Sequence, residues 1–314
     1  MDRKRQRSFA AAPAEHTGRP AADPDRIRQW VEYLALEIGR RPQQRPDLLR
    51  RVADRLAGTF AGLGYEVFLQ PVPASAAPLY NVVTCASGRE PMGDGGRQLV
   101  VGAHYDTVSG SPGADDNASG VAGLMELARL LAPSVPSSLR LVAFCPEEPP
   151  AFRTARMGSL VHARSLKKRR QRLLGMICLE MIGYFSDRPG SQSFPLAFMD
   201  RIYPDTGNFI ALVGNLRSRG WTRRVEEAFV TGTDLPVERL NGPALLVSGI
   251  DFSDHWSYGR CGYPALMVTD TAFYRNPHYH RFSDLPATLD YRRCAMVVDG
   301  LAAAVRVLAG TASP

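Results

Sequence analysis

The sequence predicts an α/β fold: a single domain with a mostly parallel, mixed central sheet of about eight strands sandwiched by helices. Two observations predict it. Short runs dense in Val, Ile and Leu alternate along the chain with longer stretches at helical spacing. Several of those runs also lack the polar alternation of half-exposed strands, as expected where helices cover both faces of a sheet. The 314 residues show no internal repeat and no central linker, so residues 24–314 count as one domain.

In chain order, residues 1–23 are polar, basic and aperiodic and read as a disordered arm. Ile27, Trp30, Val31, Leu34 and Ile38 then mark one helix, and Leu48, Leu49, Val52, Leu56, Phe60 and Leu63 a second. Strands are predicted over 65–72, 80–85, 98–104, 139–145, 176–182, 208–213, 237–240 and 265–269. Helices over 119–131, 157–174 and 217–231 lie between them. A last helix is predicted over 291–308, with Asp290 as its N-cap and Cys294, Val297, Leu301 and Val305 on its apolar face. The Gly-rich stretch 87–96 reads as a surface hairpin loop.

Composition removes several function classes. Hydrophobic residues at 45% and charged residues at 22% exclude a wholly disordered or collagen-like chain. No apolar run approaches the roughly 18 residues of a membrane helix, so no membrane partner is expected. The basic N-terminus lacks an apolar core, so the sequence as written carries no secretory signal, and a cytoplasmic location is expected; a start codon placed too far downstream would make the protein a secreted one. Thirty-eight Lys and Arg against 31 Asp and Glu give a net charge of +7. Much of the excess sits at Arg3, Lys4, Arg5 and Arg7 and again at Arg164, Lys167, Lys168, Arg169, Arg170 and Arg172, read as a solvated tail and a solvated helix face. No nucleic-acid module accompanies them, so no nucleic-acid partner is expected. Five cysteines, an odd number with no C-x-x-C pair, suggest neither a disulfide framework nor a thiolate metal site.

Five segments place acids or histidines at or just beyond the end of a predicted strand. In VVGAHYD, Asp106 lies two residues after His104; in an extended chain both face one way, so Asp106 can orient the ring toward a metal. In PGADDNASG, two adjacent aspartates and Asn117 exceed what a helix cap needs, while Gly113 and Gly120 permit close backbone approach. In FCPEEPP, prolines stiffen a loop carrying Glu147 and Glu148, a like-charged pair best kept in water or beside a cation. In ICLEMIGYF, Glu180 sits inside an apolar strand, and a buried carboxylate needs a partner. In YRNPHYHRFSD, His278 and His280 share one loop. Carboxylate and imidazole donors without cysteine suit a hydrolytic zinc site holding one or two ions, near the carboxyl edge of an open sheet.

The ordered set GAHYD, GADDNASG, PEE, LEMIGYF, SDHW and NPHYH resembles the M28 zinc peptidases, the aminopeptidase-like di-zinc exopeptidases, over about residues 25–310. The resemblance implies the zinc-exopeptidase architecture, two Zn2+ per chain and hydrolysis of peptides that offer a free N-terminus. It implies that His104 and Glu180 bind one zinc, Glu148 and His280 the other, and Asp116 both. Glu147 would be the general acid/base and Asp106 the residue that orients His104. Many family members have Asp where this chain has Glu180. The SDHW segment makes Asp254 a candidate pocket residue and His255 a structural one. The rival readings are a glutaminyl cyclase-like zinc acyltransferase, which shares the fold and uses one zinc, and a non-catalytic binding domain.

Overall fold

A computed structural model describes residues 21–73, 77–85 and 97–310. Eight strands form one sheet: β1 (Glu66–Val72), β2 (Leu79–Cys85), β3 (Gln98–His104), β4 (Leu139–Phe144), β5 (Leu173–Leu179), β6 (Ile210–Asn215), β7 (Val237–Gly242) and β8 (Ala265–Thr269). Their order across the sheet is β1-β2-β4-β3-β5-β8-β6-β7. The central four, β4, β3, β5 and β8, are mutually parallel. β2 joins them antiparallel on one side and β6 antiparallel on the other, so the sheet is mixed, as expected.

Side chains alternate across the central strands into two apolar cores. Leu99, Val101 and Ala103 of β3 pack with the helices of one face, and Val100 with the other. The first face carries α1 (Pro24–Glu32), α2 (Pro46–Gly62), α3 (Gly120–Leu131), α5 (Arg219–Phe229) and α7 (Tyr291–Leu308). The second carries α4 (Gly158–Lys168) and α6 (His255–Arg260). α5 is pinned to β5 by Trp221, whose ring lies where a side chain on Gly175 would stand and whose Nε1 donates to the Met176 carbonyl at 3.1 Å. Asp290 caps α7 as predicted, accepting from the Arg293 amide at 3.0 Å.

Four details differ from expectation. The first helix is α-helical only to Glu32, widens into a π-type turn over Tyr33–Ile38 and stops at Gly39, whose φ of 75° suits glycine. The helix predicted over 157–174 ends at Lys168; Arg170 takes a left-handed conformation and β5 starts at Leu173, so this strand ends before Glu180 rather than enclosing it. α6 has no counterpart in the sequence reading. Residues 21–23, assigned to the arm, pack on the domain: the Ala22 amide donates to Asp299 and the Asp23 amide to Glu126, both at 2.8 Å. Residues 1–20 and the Gly-rich loop 87–96 lie outside the described residues. Among the described residues no helix is long and apolar enough to cross a membrane.

Candidate active site

The parallel centre of the sheet decides where the polar residues go. β3, β4, β5 and β8 all run one way, so the segments that follow them emerge at one edge. His104 is the last residue of β3 and is buried. Its Nε2 lies 3.4 Å from Asp116 Oδ1 and 3.2 Å from Glu180 Oε2. Its Nδ1 lies 3.2 Å from the Asp106 carbonyl oxygen and 3.5 Å from the Asp106 carboxylate. Asp106 therefore faces the ring, as its spacing suggested. It has a second set of partners, however: its carboxylate accepts from the Glu147 amide at 2.9 and 3.1 Å and from the Glu148 amide at 3.1 Å.

Asp116 stands in a tight turn between β3 and α3. Gly113 opens it at φ 63°, where a Cβ would strike the Asp116 carbonyl oxygen, so only glycine fits. Asn117 ties the turn to β5. Its Nδ2 donates to the Leu179 carbonyl at 2.8 Å, and its Oδ1 accepts from the Met181 amide at 3.1 Å. Asp116 presents its second oxygen, Oδ2, to His280 Nε2 at 3.1 Å. That imidazole nitrogen also lies 3.5 Å from Glu148 Oε2. His280 adopts φ 59°, and its ring stacks on Tyr279 with centroids 3.8 Å apart.

Glu180 is the first residue past β5, not a strand residue, and Met181 after it turns left-handed at φ 50°. The Ser253 hydroxyl donates to Glu180 Oε2 at 2.6 Å. Three groups of donor atoms are each mutually within 4.8 Å: His104, Asp116 and Glu180; Asp116, Glu148 and His280; and His104, Glu147 and Glu148. The first two share Asp116, one oxygen toward each imidazole. Glu147 is buried beside both. His278, the other histidine of its loop, is turned away onto Tyr184 and Ser283.

The electrostatics follow from burying so many acids together. Burial pushes Glu147 well above the carboxylate range, helped by Glu148, Asp254 and Glu180 and opposed by His104. Burial and then Asp116 push Glu148 up. Burial also raises Glu180. Burial alone would raise Asp116, but His104 and His280 outweigh it and hold it well below the usual range. For His104, burial opposes protonation, yet Glu180, Asp106 and Asp116 win and lift it well above the usual imidazole value. Glu148 Oε1 is buried without a hydrogen-bond partner. A crowd of carboxylates with an orphaned oxygen and two imidazoles is a donor set that fits divalent cations.

Asp254, the candidate pocket residue, has no exposed surface. It lies within electrostatic reach of His104 and Glu180 and is not among the residues that line the pocket beside Glu180. Neither of its oxygens has a partner in good hydrogen-bond geometry, and burial pushes it up to about 7. His255 is structural as expected, its Nε2 donating to the Ile250 carbonyl at 2.9 Å. That pocket opens against Glu180. Its walls are mostly apolar, with Phe194, Met199, Phe209, Val247, Phe273 and Tyr279 among them. Those residues come largely from loops without periodicity, which is why the sequence did not mark them. Asn117, marked in the sequence as more than a cap needs, ties the turn to β5 instead.

Sequence and fold comparisons place the chain among known proteins. The chain is 44% identical over 289 residues to the uncharacterized protein YfbL of Escherichia coli (strain K12), covering 89% of this chain and 87% of that one. It is 25% identical to leucine aminopeptidase 1 of Fusarium vanettenii, covering 61% of this chain and 47% of the relative, so it spans about half the length of that fungal protein. The fold superposes on a zinc aminopeptidase from Bacillus subtilis with a TM-score of 0.68 at 15% identity, covering 92% and 96% of the two chains. It also superposes on the Fimbriiglobus ruber glutaminyl cyclase with a TM-score of 0.65 at 20% identity, covering 95% and 99%. The family profile described as Peptidase family M28 matches residues 81–305, which take in every donor described above. The chain belongs to peptidase family M28.

Proposed function

We propose that this protein is a zinc-dependent aminopeptidase that releases N-terminal residues from peptides, with Glu147 as the general base. The observation that carries the reading is the division of Asp116, whose Oδ1 faces His104 and whose Oδ2 faces His280. A carboxylate so placed would be shared by two cation sites, with His104 and Glu180 as the other donors to one and His280 and Glu148 to the other. When bound, zinc polarises a carbonyl and lowers the pKa of a water to about 7. Glu147 stands beside both groups and takes the proton of the attacking water, then delivers it to the leaving nitrogen. Asp106 holds the two consecutive amides of Glu147 and Glu148, so the base and a metal donor keep a fixed spacing. The apolar pocket beside Glu180 receives the side chain of the N-terminal residue and excludes water from the reacting end. Large uncharged N-terminal side chains are therefore the preferred substrates.

The glutaminyl cyclase reading rests on the shared fold. Two complete donor groups, His104, Asp116 and Glu180 beside Asp116, Glu148 and His280, favour two ions and hydrolysis over it. Zinc analysis of the purified protein, with assays on leucyl-anilide and on a peptide beginning with Gln, separates the two. We expect about two zinc per chain and anilide hydrolysis. Glu147→Gln should keep its zinc and lose about 10²–10⁴-fold in kcat. Substantial residual turnover removes Glu147 from the role.

A further inference from the structure

Arg41 has no exposed surface, and the hydrogen bonds of its guanidinium all go to backbone carbonyls. Nε donates to Tyr105 at 2.7 Å, Nη1 to Pro112 at 2.7 Å, and Nη2 to Gly113 at 3.1 Å. Nη1 also reaches Leu34 at 3.1 Å and Gly39 at 3.2 Å, the π-type turn and its stop. Tyr105 lies between His104 and Asp106, and Pro112–Gly113 leads into the turn that carries Asp116. One side chain thus fastens the β3 end to the Asp116 turn and both to the first helix. The Arg41 backbone adds to this, its amide donating to Thr107 Oγ1 at 3.1 Å.

Asp284 grips the same turn through its amides. Its Oδ1 accepts from Asp115 N at 2.9 Å and its Oδ2 from Asp116 N at 3.2 Å, while its carbonyl accepts from Ala114 N at 3.3 Å. Asp284 follows His280 by four residues on one loop, and Asn276 of that loop donates to Asp115 Oδ2 at 2.7 Å. A guanidinium therefore holds the carbonyls before the turn, and the Asp284 carboxyl group holds the amides within it. Burial pulls Arg41 down to about 10, so it stays charged at neutral pH, close enough to Asp106, Asp284, Asp116 and Glu148 to feel each of them.

We propose that Arg41 and Asp284 are positioning residues that hold the Asp116 carboxylate between His104 and His280, and thereby set the affinity of the site for divalent cations. The inference rests on the cation-binding reading above. Its physical basis is tolerance: ligand distances must fall within about 0.2 Å of ideal, so a turn free to shift loses its grip. An arginine fork with five fixed donors suits several converging carbonyls better than a lysine ammonium with three.

The test measures zinc affinity by competition with a chromophoric chelator, and separately the melting temperature of the zinc-free protein, for the parent, Arg41→Lys, Arg41→Met and Asp284→Asn. Both positions are expected to weaken zinc about 10–100-fold at temperatures where every variant is folded. Arg41→Lys should recover the zinc-free melting temperature more fully than the zinc affinity. Folded variants that bind zinc within twofold of the parent overturn the proposal, whatever happens to their melting temperatures. If Arg41→Met does not fold, Arg41→Lys and Asp284→Asn decide by the same criterion. A parent that binds no zinc overturns the functional reading as well, a result distinct from equal binding by parent and variants.

Discussion

Asp106 sits two residues past His104, and that spacing alone points to the imidazole. The structure gives its carboxylate a further task, accepting the amides of Glu147 and Glu148. Asp106→Asn would keep one acceptor oxygen and turn an NH2 group toward N–H donors. We expect it to lower kcat about 10–100-fold with zinc supplied in excess, and steady-state kinetics check this. Activity within twofold of the parent would mean that the loop keeps its place without the carboxylate. The residues that the sequence marks and those it hides differ in a physical way. His104, Asp116, Glu147, Glu148, Glu180 and His280 stand out because acids and imidazoles beside apolar strand ends lack a cheaper explanation. Arg41 and Asp284 act through backbone groups, and a residue bonded to backbone resembles any loop residue until the loop's path is known. Asp254 differs from both: its neighbour Ser253 bonds Glu180, while its own side chain is wholly buried.

All eight strands were legible as elements because apolar runs of strand length between helical stretches have few other readings. Their ends were less so. Leu173 and Leu174 prolong the apolar spacing of α4, so the sequence runs helix into strand, and only the left-handed Arg170 separates them. α6 escaped because its six residues are too short for a periodic stripe. Its Tyr258 nevertheless closes the second face, its hydroxyl 2.6 Å from His162 Nδ1 of α4. Burial pulls His162 down to about 3, whereas an unfolded histidine titrates near 6.5. Below about pH 6.5 the unfolded chain therefore takes up a proton that the folded one refuses, and this histidine costs stability as pH falls toward 3. The slope approaches about 1.4 kcal/mol per pH unit in that window and vanishes above it. Denaturant melts of the parent and His162→Gln at pH 7 and pH 5 check it: the parent should lose more on acidification. Equal losses would show that His162 does not carry the effect.

At the level of the whole molecule, the donors join separate parts of the sheet edge, so a bound cation stabilises the native state and not the unfolded one. Zinc at about 100 times its Kd adds roughly 2.7 kcal/mol, worth several degrees in melting temperature for a chain of this size. A chelator should remove that increment from the parent, and Asp116→Ala should lack it, as read by thermal scans with and without zinc. An unchanged melting temperature in the parent would leave the clustered acids without a cation. The sheet order adds one more consequence. β8 comes late in the chain yet lies between β5 and β6, and His280 follows it. A nascent polypeptide still on the ribosome at residue 250 has made His104, Asp116, Glu148 and Glu180 but neither the strand that fills the gap nor the last imidazole. A cut between β7 and β8 therefore leaves two fragments, neither of which carries both donor groups.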